Sequence, residues 1–123
     1  MPITIIGELP LILITTNEER VLPNAFIRRC LVLHMTLPEE EAALIAHLES
    51  RGRAHFRGKT SDAVLHEAAQ QLVADRKVAD EAQLNPLPGQ AEYLDLVRAV
   101  INLAGSDMER QKQLLKKTAR FTL

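Results

Sequence analysis

The sequence predicts an α/β fragment followed by an all-α bundle, with the division near Leu37–Pro38 (1–37 and 38–123). Three observations carry that expectation. Up to Leu37 the apolar residues fall in short continuous runs, the pattern of strands buried on both faces of a parallel sheet. From Pro38 onward they recur every three or four residues, the helical period. Apolar residues make up 46% of the chain but aromatics only 3%, so the core must be Leu, Ile, Val and Ala. That composition favours helices packed through aliphatic stripes.

Taken in order, Ile3-Thr-Ile-Ile6 is a short β-rich run, and Gly7-Glu-Leu-Pro10 breaks it. Leu11-Ile-Leu-Ile14 and Cys30-Leu-Val-Leu-His-Met-Thr36 read as two buried strands. Between them, Pro23 to Arg28 reads as a short helix with Pro in or near its first turn. Pro38-Glu-Glu-Glu41 opens the next helix, with carboxylates against the positive end of the helix dipole. Gly52 is expected to end it as a left-handed cap. A second helix starts near Thr60-Ser-Asp62 and carries Leu65, Ala68, Ala69, Leu72 and Val73 on one face. A loop with Pro86, Pro88 and Gly89 separates it from a third, whose face is Tyr93, Leu94, Val97, Val100, Ile101 and Ala104. Gly105 closes that helix, and Ser106-Asp-Met-Glu109 matches a capping box opening a fourth, lined by Met108, Leu115 and Ala119.

Charge and cysteine usage exclude several classes. A formal charge of −1 supplies no global attraction to nucleic acid or to an anionic membrane. The single cysteine, Cys30, cannot form an internal disulfide and fits a reducing, cytoplasmic setting. No apolar run reaches the roughly 18 residues of a membrane span, and no basic region precedes the N-terminal apolar stretch as in a signal peptide.

The chemistry-bearing residues cluster between the two apolar runs. Ligands in open α/β sheets bind beyond the carboxyl ends of strands, where Asn17 falls. Its amide both donates and accepts, so it can orient a water or touch a terminal phosphate; it can equally cap the turn after a strand. Arg28 and Arg29 end the short helix. Phosphoryl transfer is catalysed mainly by positioning and charge neutralisation, tasks that suit guanidinium.

The stretch Thr15-Thr-Asn17-Glu-Glu-Arg-Val-Leu-Pro-Asn-Ala-Phe-Ile-Arg28-Arg29-Cys30 resembles the sensor-1-to-arginine-finger segment of the MoxR-like branch of AAA+ ATPases. Pro88-Gly-Gln90-Ala91-Glu92-Tyr-Leu-Asp-Leu-Val-Arg-Ala-Val100 is similar to the third lid helix of that branch. The resemblance implies the last strands of a P-loop NTPase core followed by a four-helix lid. It implies that Asn17 is sensor 1 and that Arg29, with Arg28 the near alternative, is a finger acting on a neighbouring subunit's nucleotide. Gln90, Ala91 and Glu92 fall where many AAA+ proteins place sensor 2, although none is an arginine. ATP and Mg belong to the complete assembly. The implied partners are other protomers of a homo-oligomer, or a missing N-terminal core half, and a client protein. No Walker A loop or Walker B strand is found in this chain, so it is not expected to hydrolyse ATP alone. The alternative is a non-enzymatic helical protein-interaction module with a vestigial strand pair.

Other residues read as structural. Gly58-Lys59-Thr60 matches the tail of a P-loop, but Arg53 stands where its first Gly belongs and a helix precedes it, so a loop with a helix cap is expected. His34, His47, His55 and His66 lack metal-ligand spacing. Cys30, Phe26 and Ile27 are expected to be buried. Lys112, Lys116, Lys117 and Arg120 answer the dipole of the last helix.

Overall fold

The computed structural model describes residues 4, 6–16 and 20–119, which divide into two units, Met1–Met35 and Thr36–Leu123. Among the described residues all regular structure is helical: α1 (Asn24–Ile27), α2 (Glu41–His55), α3 (Asp62–Glu81), α4 (Gln90–Ala104) and α5 (Met108–Thr118). The expected α/β fragment is therefore corrected. Leu11–Ile14 and Leu31–Thr36 take no strand pairing, and the run 3–6 lies partly outside the described residues. The physical reason is local. Two parallel strands need a crossover of about a dozen residues or more, usually helical. Here the connection, residues 15–29, carries among its described residues only the one helical turn of α1, with Pro23 as its N-cap, too short to cover a sheet face. An isolated strand pair is also marginal in water without a third strand or a covering helix.

The first unit leaves its apolar residues uncovered. Leu11, Leu13, Leu31 and Leu33 are each more than four-fifths exposed. Phe26, Ile27 and Cys30, expected in a core, are exposed as well. A helix of one turn has too little surface to bury them.

The second unit is a four-helix body whose core is built from Leu44, Leu48, Val64, Leu65, Ala68, Leu72, Tyr93, Val97 and Leu115, among others. Glu41 at the start of α2 pairs with Lys77 late in α3, while Arg53 late in α2 pairs with Asp62 at the start of α3. The two helices therefore run antiparallel. Three of the four helix starts, those of α2, α3 and α5, are capped by the side chain of the N-cap residue. Glu40 accepts from the Ala42 and Ala43 amides at 3.0 and 2.8 Å, Ser61 Oγ from Val64 N at 3.2 Å, and Asp107 from Arg110 N at 3.2 Å. The last of these moves the expected cap of α5 from Ser106 to Asp107. At the far end of α3, Gln83 adopts φ 56°, and the Gln83 and Leu84 amides donate to Asp80 and Ala79 carbonyls, a Schellman closure.

Gly52 does not end α2; the helix continues through it to His55. Its role is close packing. A Cβ there would stand 2.6 Å from Leu65 Cδ2 and 2.7 Å from Tyr93 Oη. Tyr93 is fully buried, and its hydroxyl donates to the Leu65 carbonyl at 3.2 Å. A glycine inside α2 thus lets α2, α3 and α4 meet at one point.

Two outcomes follow from this junction. Gly52→Ala gains helix propensity of about 1 kcal/mol but overpacks by about 1–3 kcal/mol, so it lowers the urea midpoint. Burial, and secondarily the Glu49 charge, raise the Tyr93 phenol above its ordinary value. The folded form therefore holds this proton more tightly than the unfolded chain. Its stabilising effect is complete below the unfolded value near 10 and is lost as pH rises beyond it. Urea midpoints measured from pH 8 to 11 should fall at the alkaline end in the parent protein and stay flatter in Tyr93→Phe.

Candidate functional site

The residues nominated by sequence fall in separate units. Asn17 lies outside the described residues. Arg28 caps α1, its amide donating to the Asn24 carbonyl at 3.0 Å, and the Arg29 amide donates to Phe26 at 3.1 Å in the turn that follows. Both arginines are exposed, and neither guanidinium forms an ion pair with a described residue. The turn places the two consecutive side chains at the end of α1, beside the exposed Cys30.

Gln90, Ala91 and Glu92 form the first turn of α4. One side-chain oxygen of Gln90 and one of Glu92 are already engaged. Gln90 Oε1 lies 2.9 Å from His47 Nε2 on α2. Glu92 Oε2 accepts from the Gly89 amide at 2.8 Å, which is one arm of a capping box; Gly89 has no side chain to supply the other. Ala91 is exposed. Arg76, the cation adjoining this turn, spends Nη1 on the Pro88 carbonyl at 2.7 Å. The α4 start thus offers backbone amides and a helix dipole, with a carboxylate in its first turn.

The Gly58-Lys59-Thr60 loop is tied down by α5. Gln111, fully buried, donates through Nε2 to the Lys59 carbonyl at 3.0 Å and the Gly105 carbonyl at 2.7 Å, and Thr60 Oγ1 donates to its Oε1 at 2.8 Å. One amide therefore satisfies the α2–α3 loop and the α4–α5 turn together. Sequence reasoning did not find Gln111, because a polar residue beside Lys112 in a charged helix carries no mark of burial; only its heptad-like distance from Leu115 and Met108 hints at an inward position.

Elsewhere, a shallow groove between α3 and α5 is lined by Glu67, Gln70, Gln71, Asp75, Leu115 and Lys116. Partial burial raises the Asp75 carboxyl above its usual range. The groove sets amides and carboxylates around one leucine, and no described group of three His, Cys, Asp or Glu residues could hold a metal ion. No described helix is long and apolar enough to cross a membrane. Comparison with protein-family models, curated proteins and solved structures finds no match to this chain.

The Gln111 contacts are testable. Replacing it with Leu leaves two carbonyls and a hydroxyl without their partner, so Gln111→Leu should destabilise the helical body by about 2 kcal/mol or more. Chemical denaturation reads the loss directly, and faster amide exchange is expected first in the 105–111 turn.

Proposed function

We propose that this chain is the C-terminal part of a MoxR-like AAA+ ATPase, acting with a core half that holds ATP and Mg. In that assembly Asn17 senses the bound triphosphate, and Arg29 acts as the finger on a neighbouring subunit's nucleotide, with Arg28 as the alternative. The observation that carries the reading is the order Asn17, Pro23, Arg28-Arg29 between two apolar runs, followed by Pro88-Gly89-Gln90 opening a helix. The exposed first unit supports it. Each buried large aliphatic side chain stabilises a fold by roughly 1.5–3 kcal/mol, and Leu11, Ile12, Leu13, Leu31 and Leu33 forgo most of that here. A segment so composed is expected to receive its cover from another part of a larger core. The first turn of α4 adds an N-terminal helix dipole of the kind that attracts phosphate, although Glu92 opposes it.

A second reading, a helical protein-interaction module without nucleotide dependence, is favoured by one observation. The helical body closes its own core, and no described buried side-chain polar atom lacks a hydrogen-bond partner.

Reconstitution separates the two. The chain is mixed with a core half that carries a phosphate-binding loop and an acidic magnesium-binding strand, and ATP hydrolysis is measured. Restored turnover that falls by about 10³-fold or more in Arg29→Ala, with a small effect of Arg28→Ala, is the expected result. The reverse ranking moves the finger to Arg28. Turnover indifferent to both substitutions, or no turnover at all, leaves the module reading.

A further inference from the structure

The end of α2 and the loop that follows it carry an unbalanced charge. Arg51, Arg53, Arg57 and Lys59 follow one another with no carboxylate between Glu49 and Asp62, in a chain whose net charge is −1. The structure sorts these cations into two groups. Arg53 is neutralised by Asp62 at 2.9 Å and Glu49 at 3.3 Å, and Arg98 on α4 by Asp95 at 2.6 Å. Arg51, Arg57 and Lys59 are exposed, and none pairs with a described carboxylate. The dipole at the end of α2 accounts for Arg53 and His55 in its last turn. It does not account for Arg57 and Lys59, which lie beyond the helix.

Arg51 lies on the side of α2 that meets α4, and the loop that carries Arg57 and Lys59 follows directly at the end of that helix. The His47–Gln90 hydrogen bond fixes which side of α2 meets α4. Arg51 and His55 follow His47 at successive steps of four on that side. From α4, the Arg98 guanidinium lies 5.9 Å from the centroid of the Phe56 ring. The backbone at Lys59 is anchored through Gln111, so the loop cations project from a held support, and less conformational freedom is lost when they engage a ligand.

We propose that Arg51, on the α4-facing side of α2, and the loop residues Arg57 and Lys59 form a docking surface for an acidic, carboxylate-rich peptide segment of a partner protein. Guanidinium forks match carboxylates bidentately, and exposed cations steer an acidic partner onto this end of the body. Nucleic acid fits less well. Its single strands are held by aromatic stacking as well as charge, and both neighbouring phenyl rings, Phe56 and Tyr93, are buried. The surface lies within the helical body, so it stands or falls independently of the nucleotide reading.

The test uses the full chain and fluorescein-labelled deca-glutamate, followed by fluorescence anisotropy at low and moderate salt. The parent protein is expected to bind, more weakly as salt rises. The combined variant R51A/R57A/K59A should lose about tenfold in affinity, as expected for three exposed charge contacts. The control K116A/K117A on α5 should change it by less than about twofold. Far-UV circular dichroism of both variants checks that the helices persist. Absence of binding by the parent, equal losses in variant and control, or equally tight binding of an oligothymidylate of matching charge would each overturn the proposal.

Discussion

The helical body depends on a missing side chain. Gly52 sits inside α2, where glycine is intrinsically unfavourable by about 1 kcal/mol relative to alanine. Its emptiness admits the Leu65 side chain and the Tyr93 hydroxyl together. Leu65 belongs to α3 and Tyr93 to α4, so one point on α2 sets the spacing of three helices. The hydroxyl does not go unpaired in this apolar setting, because the Leu65 carbonyl accepts from it. Gln111 does for the loop end what Gly52 does for the middle. Its amide joins the α2–α3 loop to the α4–α5 turn and thereby fixes where α5 lies. Both devices meet the rule that buried polar groups must be satisfied where helices approach closely.

The two units contrast because burial requires length and partners. In the second unit, helices of 11 to 20 residues present apolar faces that cover one another. In the first, the apolar residues are as numerous for their length, but a four-residue helix and extended backbone have no opposing face to offer. Hydrophobic composition alone therefore does not make a core. The cations at the end of α2, in the loop after it and on α4 show the same dependence in electrostatic form. Arg53 and Arg98 are balanced because helix geometry brings carboxylates to them, and Arg51, Arg57 and Lys59 are left for solvent or a partner.

Much of the helical body was legible in advance. The face Leu65, Ala68, Ala69, Leu72 and Val73 has the period of α3 and is buried in it, and Tyr93, Leu94, Val97 and Val100 serve α4 likewise. Errors came where a residue type has two physical uses. Gly52 read as a cap, since glycine relieves left-handed backbone, but it serves close approach instead. Ser106 and Asp107 are both good caps, and Asp107 holds the amide. The largest error, reading Leu11–Ile14 and Cys30–Thr36 as strands, came from treating an apolar β-branched run as sufficient. A strand is completed by a neighbour, and no described residue supplies one. Of the nominated site, Arg28 and Arg29 share one turn and Gln90 to Glu92 share another, while Asn17 falls outside the described residues.

What the sequence determined by itself was the helical period from Pro38 onward and the aliphatic character of the core. These are properties of neighbours along the chain, and local spacing is enough to state them. Only the tertiary structure decided that Gly52 is a contact, that Gln111 is interior and that Leu11–Ile14 and Leu31–Thr36 form no strand. Each of those depends on which distant groups arrive at the same place, a fact that no local pattern encodes.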